Sequence, residues 1–162
     1  LRGALMEIKG RILAVDPGEK RIGIAVSDET QSIARPLTVI KHVSRSANAQ
    51  AIVRLAVEQK AVRVVIGHAL DSEGLPGMQA KLAERLAAAV QTQIPVPVEL
   101  WDESGSTQKA QSIRRAMGGS RKTRSGHLDD VAAAVILQSY LDAQDRPDPF
   151  SAGNDLPELP TE

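Results

Sequence analysis

Arg11-Ile-Leu-Ala-Val-Asp-Pro-Gly-Glu-Lys-Arg-Ile-Gly-Ile-Ala-Val-Ser27 sets two extended apolar runs on either side of a Pro-Gly break. Branched apolar residues favour strands, and Pro17-Gly18 stops the first run. The stretch reads as a hairpin over residues 11–27 whose turn presents Gly18, Glu19 and Lys20. Its first arm ends on Asp16, a carboxylate anchored by an apolar strand at the point where the chain turns.

Working outward, a third strand is expected near Leu37–Ile40, and Ile52, Leu55 and Ala56 predict a helix over 47–59. Val62–Ile66 is a continuous apolar run, the mark of a strand covered on both faces. A loop over 68–76 follows. Met78, Leu82, Leu86 and Val90 recur every four residues and predict a helix over 77–91. Pro95 and Pro97 bound the next strand, which is expected from Val96 to about Leu100. A helix over 107–117 is expected to end at Gly118-Gly119, followed by a flexible basic segment and a last helix over 128–143. A strand hairpin followed by alternating helices and strands predicts the α/β class, a mixed central sheet flanked by helices. The expected organisation is one domain over 11–143, an extension at 1–10 and a disordered tail at 144–162, where Pro147, Pro149, Gly153, Pro157 and Pro160 meet little apolar content.

The chain of 162 residues is long enough for one real core. Twenty basic residues cancel twenty acidic ones, so bulk charge names no partner. Distribution is more informative: no Asp or Glu occurs from Ser104 to Leu128, a stretch that holds Lys109, Arg114, Arg115, Arg121, Lys122 and Arg124. A local positive field can hold a polyanion on a neutral protein. The absence of cysteine excludes disulfides and thiolate zinc sites, and no run reaches membrane-spanning length. A cytoplasmic protein is the expectation.

Three acids at element ends form a candidate site: Asp16, Glu103 after the 96–100 strand, and Asp129 at the start of the last helix. Each has a structural explanation as well. Asp before Pro-Gly accepts turn hydrogen bonds, and acids near a helix start complement its dipole. Asp102 and Glu103 should point to opposite faces of an extended segment, so one of them is expected to join a common site. Asp129 and Asp130 lie about 100° apart around a helix, and spacing alone does not choose between them. Gathering three carboxylates is costly without a cation. Hard oxygen ligands suit Mg²⁺ or Mn²⁺, which would reverse that cost. Arg114 and Arg115 on a helix, with Arg121, Lys122 and Arg124 in the loop after it, would hold phosphates without reading sequence. His127 is a further candidate for phosphate contact, and His68 can simply close its loop.

Ile12–Asp28, Leu100–Thr107 and Leu128–Leu141, in this order and spacing, resemble the YqgF/RuvX family of Holliday-junction-resolvase-like proteins. The resemblance implies a ribonuclease-H-like fold and a metal-dependent nuclease associated with maturing the 5′ end of 16S rRNA. It also implies catalytic and metal-binding roles for Asp16, Glu103 and Asp129 and a nucleic-acid contact for Arg21. The middle motif departs from the family's pattern: Ser104 and Gly105 stand where an Arg and a bulky apolar residue are usual, and Ser cannot supply the donor fork of Arg. His127 stands where Lys is common.

The sequence thus leads to an endonuclease using Mg²⁺ or Mn²⁺ on structured precursor rRNA. One alternative is a branched-DNA endonuclease, for which a homodimer would match four-way symmetry. A second is a noncatalytic nucleic-acid-binding ribosome-assembly factor.

Overall fold

Five strands and three helices are built from the described residues of the computed structural model, which are 9–69, 75, 77–102 and 121–145, with side chains in the last segment described over 131–144. The strands are β1 (Ile12–Pro17), β2 (Arg21–Ser27), β3 (Ala34–Lys41), β4 (Arg63–His68) and β5 (Val98–Asp102). The helices are α1 (Arg45–Glu58), α2 (Met78–Gln91) and α3 (Arg121–Asp145). The expected extension at 1–8, the 107–117 helix and the tail from 146 lie outside the described residues.

The sheet order is β3-β2-β1-β4-β5. β1–β2 and β2–β3 pair antiparallel, whereas β4 lies parallel to β1 and β5 parallel to β4. This is the mixed sheet the sequence predicts. A Cβ at Gly18 would run into the carbonyl oxygen of Arg21, so closure of the β1–β2 turn requires glycine there. The strand expected at 37–40 begins earlier, at Ala34. β3 is an edge strand, and Pro36 is tolerated there beside a register shift at Ile24/Ala25.

Alternation along each strand sorts the core into two layers. Leu13, Val15, Ile22, Ile24, Val26, Val64 and Ile66 pack on one face with Ile52 of α1 and Leu86 and Val90 of α2. Ile12, Ala14, Ala25 and Val65 pack on the other face with Ala133, Leu137, Tyr140 and Leu141 of α3. Val64, Val65 and Ile66 are all fully buried, as expected for a strand covered on both sides.

The four-residue stripe on α2 does not hold throughout. Met78 is 80% exposed and Leu82 43%, while Ala80, Ala83, Leu86, Ala87 and Val90 are buried. Steps of four drift about 40° per turn, so a stripe twelve residues long leaves the core face at one end.

α3 is tied down at two places. Gln138 accepts from the Ala34 amide at 3.0 Å and donates to the Ser32 carbonyl at 3.1 Å, holding the β3 side. On the β4–β5 side the Tyr140 hydroxyl accepts from Arg63 and donates to Glu99 at 2.6 Å. Burial pushes the Tyr140 phenol above its ordinary 10.0 and the bond to Glu99 adds to the rise, against the pull of Arg63. Tyr140→Phe is expected to cost about 1 kcal/mol, because Arg63 and Glu99, both part-exposed, recover water when the hydroxyl goes. The midpoint of urea unfolding measures this.

The β2–β3 turn has its own anchor. Asp28 accepts from Thr30 at 2.6 Å and from the amides of Ser32 and Ile33 at 2.8 and 3.1 Å. These bonds, led by Thr30, hold the carboxyl below its ordinary 3.8. A depressed folded value means that the turn is stabilised above the unfolded pKa and loses that help as pH falls through the folded one. Amide exchange at Ser32 and Ile33 is therefore expected to be unchanged down to pH near 4 and to accelerate, relative to the intrinsic rate, only below it.

Candidate active site

Asp16 continues the Ile12/Ala14 side of β1, so alternation turns it toward the face that α3 covers. It is half-buried at the C-terminal end of the central strand. Its partner on β2 is Gly23. On β4, Val15 pairs with Ile66, which brings Gly67 next in line beside Asp16. Both glycines are buried. The carboxylate therefore stands between two neighbouring strand positions that carry no side chain. Gly67 in turn pairs with Trp101 of β5. The Trp101 ring meets Tyr140 edge-on, with centroids 5.2 Å apart and planes at 86°. Its indole N–H is buried with no hydrogen-bond partner.

The same alternation sorts the other candidates. Arg21 opens β2, is exposed, and shares the side of Gly23. Glu99 and Trp101 lie on the α3 side of β5, as their contacts with Tyr140 show. Val98 packs into the opposite layer, and Asp102 has the parity of Val98, so Asp102 faces away from Asp16. His68 shares the side of Ile66, and its Nε2 lies 3.6 Å from Glu84 of α2. That contact places His68 across the sheet from Asp16. Glu103, Ser104, Gly105, Arg114 and Arg115 lie outside the described residues, as do the side chains of Arg121, Lys122, Arg124, His127 and Asp129. Among the described residues no group of three or more His, Cys, Asp or Glu side chains could hold a metal ion.

One expectation is overturned here. Arg121, Lys122 and Arg124 were read as a loop before a helix beginning at Leu128, but α3 begins at Arg121. The Ser125-Gly126 pair suggested a break. A single helical glycine costs only about 1 kcal/mol, which tertiary packing outweighs. Asp129 and Asp130 consequently sit more than two turns inside a helix. The helix-start explanation of these acids no longer applies.

Sequence reading also passed over Gly67 and Trp101 as parts of the site. The signal was available in the run Val64-Val-Ile-Gly67, where alternation from Val65 brings Gly67 to the side of Asp16.

A family model described as RuvX, Holliday junction resolvase, matches residues 10–143. The chain is 42% identical over 134 residues to a protein of Chloroflexus aurantiacus named "Putative pre-16S rRNA nuclease", covering 82% of this chain and 87% of that protein. A protein of the same name from Anaeromyxobacter sp. strain K is 40% identical over 132 residues, covering 82% and 96%. Among solved structures, Thermus thermophilus RuvC in complex with a Holliday junction substrate superposes with a TM-score of 0.53 at 19% identity, covering 83% of this chain and 95% of RuvC. That likeness concerns the fold and agrees with a ribonuclease-H-like sheet. Among the described residues no helix is long and apolar enough to cross a membrane. With a family match spanning most of its length and relatives at this level of identity, the chain belongs to the RuvX family of nucleases.

Proposed function

We propose that this nuclease is an endonuclease that uses Mg²⁺ or Mn²⁺ to cut structured precursor rRNA in the cytoplasm, with Asp16, Glu103 and Asp129 as its catalytic carboxylates. The observation that carries the reading is the half-buried Asp16 carboxylate at the end of the central strand, with glycine on both neighbouring strands.

Backbone geometry supports Asp129 as its companion. Tyr140 meets Arg63, whose strand partner on β1 is Ile12, so the C-terminal end of α3 lies over the start of β1 and β4. From the Ile12 row to Asp16 is about 13 Å of strand. From Tyr140 back to Asp129 is about 16 Å of helix. Eleven residues are close to three full turns, so Asp129 falls about 20° from the direction of Tyr140, whereas Asp130 falls about 80° from it. This favours Asp129 over Asp130. Glu103 has the parity of Glu99 and Trp101, the β5 residues that face α3, which favours it over Asp102.

A half-buried carboxylate flanked by glycine on both neighbouring strands suits a hard cation, and Glu103 and Asp129 would complete an all-oxygen set. Such an ion, when bound, polarises a phosphoryl oxygen and makes water a competent nucleophile near neutral pH. The chain's own part is to fix the ligand geometry and to hold the substrate. Gly23 and Gly67 place no side chain of their own against Asp16. Arg21, Arg114, Arg115, Arg121, Lys122, Arg124 and His127 would position the backbone.

The relatives' name favours precursor 16S rRNA as substrate. The family model's description favours a branched-DNA reading, with a homodimer to match the junction. Purified protein should be incubated with a 5′-extended 16S precursor and with a four-way DNA junction, each with Mn²⁺ or with chelator. Chelator-sensitive internal cleavage of the precursor in preference to the junction supports the proposal. The reverse preference moves the assignment to branched DNA, and tight binding without scission of either substrate would indicate an assembly factor.

A further inference from the structure

Basic side chains gather at one end of the β2–β3 hairpin. Arg21 pairs directly with Lys41 across the two strands. Like charges opposite each other in a sheet are destabilising. The His42 amide donates to the Lys20 carbonyl at 3.0 Å, which draws those two residues together. Lys20, Arg21, Lys41 and His42 line one shallow concavity, and His42 and Arg45 line an adjoining one. Arg45 opens α1, where an acid would suit the helix dipole better. Among the described residues lining the two concavities Glu19 is the one carboxylate, and it accepts from Gln79 of α2 at 2.8 Å. Asp28 and Glu29 occupy the opposite end of the hairpin. At that opposite end Arg35 stands with the two acids, whereas the end beside the Asp16 terminus of β1 carries Lys20, Arg21, Lys41 and His42 against Glu19 alone.

We infer that this hairpin end is a second backbone-binding arm, which holds the phosphates flanking the cleavage point rather than the phosphate being cut. The inference rests on the nuclease reading above and extends its substrate contacts beyond Arg21 to Lys20, Lys41, His42 and Arg45. Val39 pairs with Gly23, two strands from Asp16, which is about 10 Å across the sheet. Lys41 lies two residues further, about 12 Å from Asp16 in all. At that backbone separation the cationic edge is well placed for an adjoining stretch of the same polyanion. From Lys41 the cationic edge turns through His42 to Arg45, away from the α3 face. A flanking arm held there would leave the cleft across the hairpin edge.

The test compares wild type with the double variant Lys41→Gln, Arg45→Gln, both surface positions. The probes are a labelled 5′-extended 16S precursor and a four-way DNA junction, held with Ca²⁺ to measure binding and with Mn²⁺ to measure cleavage. For the probe that wild type cleaves, log Kd against log salt is expected to lose about 0.7–0.9 in slope per contact removed, hence roughly 1.5 for the pair. KM should rise about tenfold while kcat stays within twofold. Wild type acting on a probe trimmed to the cleavage point should reproduce the variant's KM. An unchanged salt slope and KM in the variant, beside a wild type that binds and cleaves, overturns the arm and leaves the nuclease reading standing. Competition by polyglutamate that depends on Lys41 and Arg45, without any change in nucleic-acid binding, also overturns it and assigns the surface to an acidic polypeptide. A wild type that cleaves neither probe while binding one with the predicted slope change separates failure of the chemistry from failure of the arm.

Discussion

Asp16→Asn is expected to lower metal-dependent cleavage by about 100-fold or more, at least ~2.7 kcal/mol of transition-state stabilisation, with the far-ultraviolet spectrum unchanged. The amide keeps the size of the side chain and can still accept and donate hydrogen bonds where the strand meets Pro17-Gly18. It loses the charge that would hold a hard cation. The turn also closes through Gly18, whose fit against the Arg21 carbonyl does not involve the Asp16 charge. A variant that folded normally and cleaved at the wild-type rate would remove Asp16 from the chemistry. Single-turnover rates at saturating Mn²⁺ are the informative measurement, because weak metal binding alone can be overcome by concentration.

Gly67→Val and Ile66→Ala are expected to fail in opposite ways, although the two residues are adjacent on β4. Ile66 is fully buried in the layer beneath α1 and α2. Truncating it leaves a cavity, and about 2–5 kcal/mol of stability should be lost. Cleavage per folded molecule should remain near wild type, because Ile66 points away from Asp16. Gly67 faces the α3 side, between the Asp16 and Trp101 positions. A valine there adds bulk to a buried row, at about 1–3 kcal/mol for overpacking. Its larger effect should be on function, since it puts a side chain beside the carboxylate. We expect a fall of at least about tenfold in the cleavage rate per folded molecule, equivalent to ~1.4 kcal/mol of barrier. Denaturant midpoints and rates measured on the same samples separate the two quantities. Loss of activity in Ile66→Ala alone would mean that the sides of β4 have been assigned the wrong way round.

The strands were legible because alternation in β1 and β2 and the apolar run in β4 each demand one kind of burial. The placement of Asp16 was legible for the same reason: an acid that ends such a run stays out of the core, and it lies half-buried at the end of β1. The first turns of α3 were not. Ser125-Gly126 looks like a break when read locally, and only the sheet-facing residues further along, Ala133, Leu137, Tyr140 and Leu141, commit the segment to a long helix. The spacing of Met78, Leu82, Leu86 and Val90 made α2 legible, although a step of four drifts off the core face and leaves Met78 and Leu82 exposed. The cationic pairing of Arg21 with Lys41 was hidden altogether. It depends on the register between strands, which the intervening residues 22–40 do not reveal.

Anomalous diffraction from crystals soaked in Mn²⁺ tests the convergence of the carboxylates most directly. The account predicts a peak about 2.1 Å from an Asp16 carboxylate oxygen, with Glu103 and Asp129 oxygens in the same coordination shell. Manganese bound elsewhere, or an Asp129 turned away from Asp16 with Asp130 in its place, would contradict it.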